Sequence, residues 1–448
     1  MPFSEGPVAR AEHRGLHMIR TVAALALGIA GSPAFADAVT YSGTIGDLPV
    51  VVEFSEDPVA GGADVFGRYF YVDKGVDIPL HAAPASRSKL GFVEEVPCAE
   101  ALNNCPHAQD ETPSKPPLGA TWELEPARDG KTLTGKFTIN GRNRPVELTP
   151  AGTRPFDPSG GMISLTDFAS GLFWQGTTLT PETSPYDYLK ATSVELTESD
   201  PVRNDRASYR YVTDPRTKFQ YPRILDLSGY DIAPANAWLE QRHWKMSLDA
   251  LWCMAQVYQG FGWNGYYYGA GTLGYWDEEL VEVHYLSAEV MSWTESGSLS
   301  CGGAHPYNHR EFYNLDTVDG TPLDLSRIFR GWVAKDYEGN IVDPEIARAA
   351  PGDYQWGPDD ELLAFVNEHR ASNEELGFTG ELSDCPIDEM IPQYLAIGFT
   401  GDDRVLFSMD GMPHVSAACA SDLYEAPILE LTHLLTNEAD TYFPVLAD

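Results

Sequence analysis

A cysteine, two glycines and two histidines lie close together in the stretch CGGAHPYNH, from Cys301 to His309. Three chemistries fit these residue types: a cysteine nucleophile with a histidine base, a metal site with two imidazole ligands, or a turn held by a disulfide. A catalytic thiolate needs a depressed pKa, a nearby base and a reducing environment. Five other cysteines occur in the chain, and its start has the features of an export signal. These features favour the disulfide.

A metal site is the next possibility for this stretch. Histidines four apart, as His305 and His309 are, suit zinc when both imidazoles lie on one face of a helix. Here Gly302, Gly303 and Pro306 disfavour a helix. We therefore expect a hydrogen-bonded turn, with no metal ligand and no cofactor.

A hydrolytic site is the alternative to this turn. Glu282 lies on the strand predicted before it, so that Glu282, His305 and His309 would have to converge in one cleft. The acidic run Asp277-Glu278-Glu279 is interpreted as a solvated face, because neighbours in sequence do not set the carboxylate separation that acid–base catalysis needs. We expect binding rather than catalysis, and no catalytic residue is assigned.

An unusual aromatic run, YQGFGWNGYYYGAGTLGYW, extends from Tyr258 to Trp276. Aromatic rings between glycines can stack on sugar rings or anchor a protein partner. The alternative is a lid folded down over the core. The candidate ligand-binding residues are Trp263, Tyr266, Tyr267, His305, Tyr307 and His309.

The first 36 residues resemble a signal peptide. A basic region precedes the apolar run from Thr21 to Gly31, and the small residues before Asp37 fit a cleavage site. Either Met1 or Met18 is the start. The apolar run is shorter than the roughly 20 residues that span a bilayer. We expect a soluble periplasmic or secreted protein with no membrane span.

The chain is strongly acidic, with 66 Asp and Glu against 30 Lys and Arg and a formal net charge of −36. This charge repels nucleic acid and favours a cationic partner. The alternative is that the charge only keeps an exported protein in solution. The charge therefore argues against nucleic acid as a partner, but it identifies neither the partner nor the oligomeric state.

The six cysteines are expected to form disulfides in an oxidising compartment. Cys98 and Cys105 are close enough to close a small loop. Among the remaining four, the pairs Cys253 with Cys301 and Cys385 with Cys419 are favoured, although sequence leaves the connectivity open.

The chain is predicted to be α+β. Residues 37–150 contain about eight short strands and the hairpin signal Asn140-Gly141, which indicates an antiparallel all-β barrel or sandwich. Residues 151–205 are interpreted as a connector. Residues 206–448 form an α+β domain with an antiparallel sheet.

Three features organise this second domain. A helix is predicted after Pro234, with Trp244, Leu248, Leu251, Trp252 and Ala255 on one face. Asp319-Gly320 predicts a second hairpin, and a second helix is expected from Pro358 to Arg370. The strands YLAIGFT and RVLFSM and a closing helix in APILELTHLL complete the layout.

The second domain resembles a bacterial exported domain family of unknown function. The resemblance rests on FQYPRIL, on a helix carrying Asn236, and on VHYLSAEVMSW followed by CGGAHPYNHREFYNLDTVDGTPLDLSRIF. It covers residues 206–448. Relatives of this kind include the lysozyme-binding extracellular domain of anti-sigma factors and domains that accompany polysaccharide deacetylases. The resemblance implies a binding or sensor-like protein for a cell-wall component or a cationic protein such as lysozyme.

Overall fold

The structure is a computed structural model, and it describes residues 36–60, 65–84, 89–97, 117–156, 178–255, 257–258, 261, 276–299, 307–350, 352–378 and 385–447. Residues 36–448 form one compact unit. Among the described residues, no helix has both the length and the apolar character needed to cross a bilayer.

Eight antiparallel strands at the start of the described chain form a closed barrel, in which β8 pairs with β1. The strands are β1 (Ala36–Ile45), β2 (Leu48–Phe54), β3 (Gly67–Tyr71), β4 (Ile78–Ala82), β5 (Leu90–Glu95), β6 (Leu118–Pro126), β7 (Leu133–Ile139) and β8 (Arg142–Phe156). Asn140 and Gly141 have φ values of 50° and 73°, as a two-residue type I′ hairpin requires. The predicted all-β barrel is confirmed.

The interior of the barrel is filled by side chains. Alternate residues of each strand point inward, and Val50, Val52 and Phe54 of β2 contribute one such row. Trp122 and Phe137 pack edge to face in the same core, with ring centroids 5.6 Å apart. The interior of this small barrel therefore consists of apolar side chains from its own strands.

The segment after the barrel carries helix α1 (Pro185–Thr192), which packs on the outer wall of the barrel. Six buried charged side chains join the two, three of each sign. They are Glu53, Asp77, Asp187, Arg68, Arg154 and Lys190. Arg68 contacts all three carboxylates, at 2.9 Å, 3.3 Å and 3.1 Å respectively. The interpretation of this segment as a connector overlooked the helix, although Ser184 at its N-cap and Pro185 at its first position are helix-start signals.

The rest of the described chain contains four sheets of three or four strands and a long helix, α2 (Ala233–Ala255). The first sheet has β9 (Thr197–Glu198), β10 (Val202–Arg203), β11 (Ser208–Thr213) and β12 (Gln220–Asp226). The second has the order β13 (Trp276–Leu286), β14 (Val290–Leu299), β15 (Tyr307–Asp316) and β16 (Thr321–Pro322). The predicted Asp319-Gly320 turn joins β15 to β16, and Gly320 has a φ of 66°.

Helix α2 buries two faces. The predicted face contacts α1 and the barrel: Leu248 packs with Leu179 and Ala191, and Leu251 lies against the β3–β4 turn. The second face packs on the β13–β16 sheet through a separate row, Ala235, Leu239, Met246 and Ala250. The prediction identified one face of the helix and missed the other, because both rows are apolar.

The C-terminal part packs two small three-stranded sheets with short helices. It contains β17 (Trp332–Lys335), β18 (Ile341–Val342), α3 (Pro344–Ala349), β19 (Gln355–Pro358), α4 (Asp360–His369), α5 (Ile387–Tyr394), β20 (Leu395–Thr400), β21 (Arg404–Met409), β22 (Ser421–Pro427) and α6 (Ala439–Tyr442). Short 3-10 helices occupy Leu325–Arg327, His414–Cys419, Ile428–Leu434 and Pro444–Leu446.

Two helix predictions need correction. Pro358 ends strand β19, and Asp359 caps α4 by accepting a hydrogen bond from the Leu362 amide at 2.9 Å. The closing segment forms a 3-10 helix, Ile428–Leu434, in place of the expected α-helix. Its three buried leucine and isoleucine side chains reach the core with 3-10 spacing.

Cys385 and Cys419 form a disulfide, the pair expected for them, with an Sγ–Sγ distance of 2.09 Å. Cys253 of α2 is also disulfide-bonded. Cys98, Cys105 and Cys301 lie outside the described residues, so the other two pairings stay predictions.

A carboxylate–histidine cluster under helix α2

The sequence singled out His309, and the structure places it at the start of β15. Tyr307 is the first residue of the same strand. Trp263, Tyr266, Tyr267 and His305 lie outside the described residues, as do Gly302, Gly303 and Pro306. Of the six candidate ligand-binding residues, His309 is therefore the one whose side-chain contacts the structure describes.

His309 pairs with Glu279 across the middle strand of the sheet. The register places Glu279 of β13 and His309 of β15 on either side of Gly297 of β14. Because Gly297 has no side chain, its two neighbours can meet above it. The His309 Nε2 atom lies 3.2 Å from Glu279 Oε2, and the Glu279 side chain is 2% exposed.

Asp249 of α2 lies close enough to this pair for the charges of Glu279 and His309 to act on its pKa. Burial, together with the charge of Glu279, raises the pKa of Asp249 to about 6. Burial also raises the pKa of Glu279. Burial opposes protonation of His309, but the hydrogen bond and the charge of Glu279 outweigh it, so that the pKa of His309 is raised.

A buried ionic network lies next to this cluster on the same face of the sheet. Glu295 is 2% exposed and accepts hydrogen bonds from Arg242, Tyr221 and Trp293, at 2.6 Å for the Arg242 Nη2 and Tyr221 Oη atoms. Tyr313 donates to Glu311 and accepts from Arg242. The network anchors α2 to the sheet and surrounds the cluster with fixed charges.

The proposed convergence of Glu282 with His309 is wrong. Glu282 pairs with Thr294 of β14, whereas His309 pairs with Gly297. Positions 294 and 297 of one strand point to opposite faces, because side chains alternate along a strand. Glu282 is exposed on the far side of the sheet. His284 on that side bonds to the Thr294 hydroxyl at 2.8 Å.

The interpretation of Asp277-Glu278-Glu279 as a solvated face also fails at Glu279, whose side chain is buried. The signal that could have revealed it is the alternation of β13, which puts Glu279 on the same face as Val281, a core residue. Asp249 and Arg242 gave no local signal, because their charges are common on any helix surface.

The first residues of the aromatic run fold down. Tyr258 and Phe261 are buried with Ala255, Val76 and Ile78, beside the β3–β4 turn of the barrel. This agrees with the lid interpretation for these two residues, and residues 262–275 of the run lie outside the described residues.

Among the described residues, no group of three or more His, Cys, Asp and Glu side chains has an arrangement that could hold a metal ion. The cluster can instead move a proton: it contains an acid with a pKa near 6 beside a carboxylate–imidazole pair. It can also hold a cationic group. No known family model matches the chain, and no curated protein matches it significantly.

Proposed function

We propose that this chain is an exported binding protein whose partner is a cationic protein. In this proposal the signal peptide is removed after Ala36, and the mature protein works in the periplasm or outside the cell. The disulfide between Cys385 and Cys419 supports an oxidising compartment. The net charge of −36 supports a cationic partner.

One surface carries the proposal: the end of the β17–β18 hairpin together with α3, residues 335–350 and 352–353, which we term the acidic hairpin surface. Three large apolar side chains on it are exposed: Tyr337 by 80%, Ile341 by 63% and Ile346 by 54%. Exposed apolar side chains grouped on one surface element are typical of a protein interface, especially when a tyrosine is among them.

The charges on this surface have one dominant sign. Residues 335–353 include five acidic side chains: Asp336, Glu338, Asp343, Glu345 and Asp353. Lys335 donates to the Pro358 carbonyl at 2.7 Å. Arg348 pairs with Asp324 at 2.7 Å and also with Glu345, so that four of the five acidic side chains have no salt bridge among the described residues. An apolar centre with an acidic rim is complementary to a basic protein surface.

Lysozyme is the appropriate probe, because it is strongly basic and because the resemblance of residues 206–448 implies it. Titration calorimetry of the intact protein with lysozyme should give saturable binding that weakens as the salt concentration rises. Tyr337→Ala should weaken binding at least about tenfold, because a tyrosine at the centre of an interface contributes a large part of the binding energy. Val415→Ala is the matched control, because Val415 is 86% exposed outside this surface.

Two results would contradict the proposal. One is the absence of lysozyme binding at low and at moderate salt. The other is equal weakening by Tyr337→Ala and Val415→Ala. If the protein is retained on purified peptidoglycan but does not bind lysozyme, its partner is a cell-wall component and not a cationic protein.

A cell-envelope hydrolase is the second candidate function, and one observation favours it. Asp249 has a pKa of about 6 next to the Glu279–His309 pair, which suits general acid–base catalysis near neutral pH. Release of dye from labelled cell-wall polymer should then be lost in Asp249→Asn and in His309→Gln. The exposed Asp205→Asn variant should keep full activity. Absence of turnover by the unmodified protein would remove this candidate.

A further inference from the structure

Helix α2 forms one wall of a cleft of about 390 Å³ that is separate from the acidic hairpin surface. Pro234, Trp238, Arg242 and Lys245 of the helix line it. Their spacing of four, four and three residues places them in one row along the helix. Thr178, ahead of α1, and Gly320, in the β15–β16 turn, also line the cleft.

The β15–β16 turn closes the end of the cleft at the start of the helix. A Cβ atom on Gly320 would lie 2.4 Å from the backbone of Pro234, so the turn can pack this closely only with glycine. Gly320 also has a positive φ of 66°. At the other side, Gln241 exchanges two hydrogen bonds of 2.9 Å with the Leu179 backbone. The shape of the cleft is therefore built into the packing.

Three hydrogen-bond donors line this cleft without an acceptor in the described part of the chain. Arg242 uses its Nε and Nη2 atoms for Glu295 and Tyr313, which leaves Nη1. Lys245 has neither a carboxylate partner nor another acceptor among the described residues. The same is true of the Trp238 indole N–H, whose ring packs edge to face on Trp293 at 5.5 Å.

The local charge contrasts with that of the whole protein. None of the described residues that line the cleft is acidic, although the chain has 66 acidic residues against 30 basic ones. Burial, together with the charge of Arg242, lowers the pKa of Lys245. Arg242 is already paired with Glu295, so the cation of the described lining that lacks a counter-charge is Lys245, and a bound anion would compensate it.

We propose that this cleft binds a small organic anion that carries a ring, of the uronic acid type. Arg242 and Lys245 hold the carboxylate by charge-assisted hydrogen bonds, and the ring packs against the face of Trp238. The volume lies in the lower part of the roughly 300–1,000 Å³ range of small-molecule sites. This inference does not depend on a cationic protein partner, since it concerns a different surface and the opposite charge.

The test is titration calorimetry of the intact protein with three probes. D-glucuronate has both the charge and the ring, glucose has only the ring, and acetate has only the charge. Glucuronate should bind saturably, and glucose and acetate should each bind at least about tenfold more weakly, because each lacks one of the two recognised features. Binding of all three probes with equal affinity, or of none, overturns the proposal.

Two variants locate the site. Lys245→Gln should weaken glucuronate binding by roughly tenfold or more, because a charged hydrogen bond is lost. Lys218→Gln is the matched control, since Lys218 is an exposed lysine in the turn between β11 and β12. Trp238→Leu should weaken the binding of glucuronate and leave that of acetate unchanged. Unfolding temperatures of all variants verify that the fold is intact, and unchanged glucuronate affinity in Lys245→Gln overturns the proposal.

Discussion

The side chains of Glu279 and His309 contact each other at 3.2 Å although their strands are not neighbours. Glu279 lies on β13 and His309 on β15, and Gly297 of the middle strand β14 lies between them. Gly297 places no side chain between the two, which leaves room for the contact. The pair lies under α2, where Asp249 adds a second carboxylate. Burial raises the pKa values of both carboxylates, and the contact beside Gly297 raises that of His309.

Gly297→Val should separate the Glu279–His309 pair. The inserted side chain would occupy the space above the middle strand, so that the pKa of His309 should fall towards its ordinary value of 6.5. A proton NMR titration of the His309 ring measures this shift. Ser296→Val is the control, because residue 296 points to the opposite face. An unchanged His309 titration in Gly297→Val would refute the role assigned to the glycine.

Asp249→Asn should stabilise the protein at neutral pH. The folded pKa of Asp249 is raised to about 6 from 3.8, so folding opposes its ionisation. The resulting cost is absent below about pH 4, develops between pH 4 and 6, and is complete above pH 6. The variant should therefore unfold at a higher temperature than the unmodified protein at pH 7.5 and at the same temperature at pH 3.5.

Asp205→Asn, at an exposed position, is the matched control for this measurement. It should leave the unfolding temperature nearly unchanged at both pH values. A lower unfolding temperature of Asp249→Asn at pH 7.5 would mean that the ionised carboxylate has a favourable partner that offsets its burial.

Arg68→Met should destabilise the barrel strongly. Arg68 lies between the buried carboxylates of Glu53, Asp77 and Asp187, and its removal leaves them with too little positive charge. Breaking a buried ion pair in this way costs about 3–5 kcal/mol of unfolding free energy. Urea unfolding measures the loss. Arg144→Met, at an exposed barrel position, should change the midpoint little, and equal midpoints for the two variants would exclude a structural role of the network.

Loss of the Cys385–Cys419 disulfide should destabilise the C-terminal part of the fold. The two cysteines are 34 residues apart, and a loop of this length corresponds to about 3–4 kcal/mol of chain entropy in the unfolded state. The double variant Cys385→Ala and Cys419→Ala should therefore unfold at lower urea concentration. Ala417→Ser, in the 3-10 helix that contains Cys419, is the control. An unchanged unfolding midpoint in the double variant would show that the disulfide does not stabilise the fold.

Much of the fold could be predicted from local patterns. The barrel strands alternate inward and outward residues, and Asn140-Gly141 and Asp319-Gly320 mark turns that the structure contains. Pro234 and the apolar spacing after it indicate helix α2 correctly. These signals succeed because backbone geometry and side-chain periodicity act over a few residues.

The candidate cluster could be predicted only in part. His309 was identified from its neighbours in the sequence, but its partner Glu279 was interpreted as solvated, and the alternative hydrolytic site required Glu282, which lies on the other face of the sheet. Strand register decides this question, and a shift of one residue exchanges the two faces. Helix α1 was missed because the Pro, Ser and Thr content of the segment after the barrel suggested a connector, although the N-cap Ser184 and Pro185 mark the start of a helix.

By itself, the sequence determined the net charge, the cysteine content, the strands of the barrel and the position of the long helix, since each of these depends on composition or on neighbouring residues. Only the tertiary structure decided that Asp249 of α2 lies near the Glu279–His309 pair, that Arg68 lies among three buried carboxylates, and that the row Trp238, Arg242 and Lys245 forms a cleft together with Thr178 and Gly320. The physical reason is that these arrangements join segments far apart in the chain, and their geometry follows from how the sheets and helices pack as a whole.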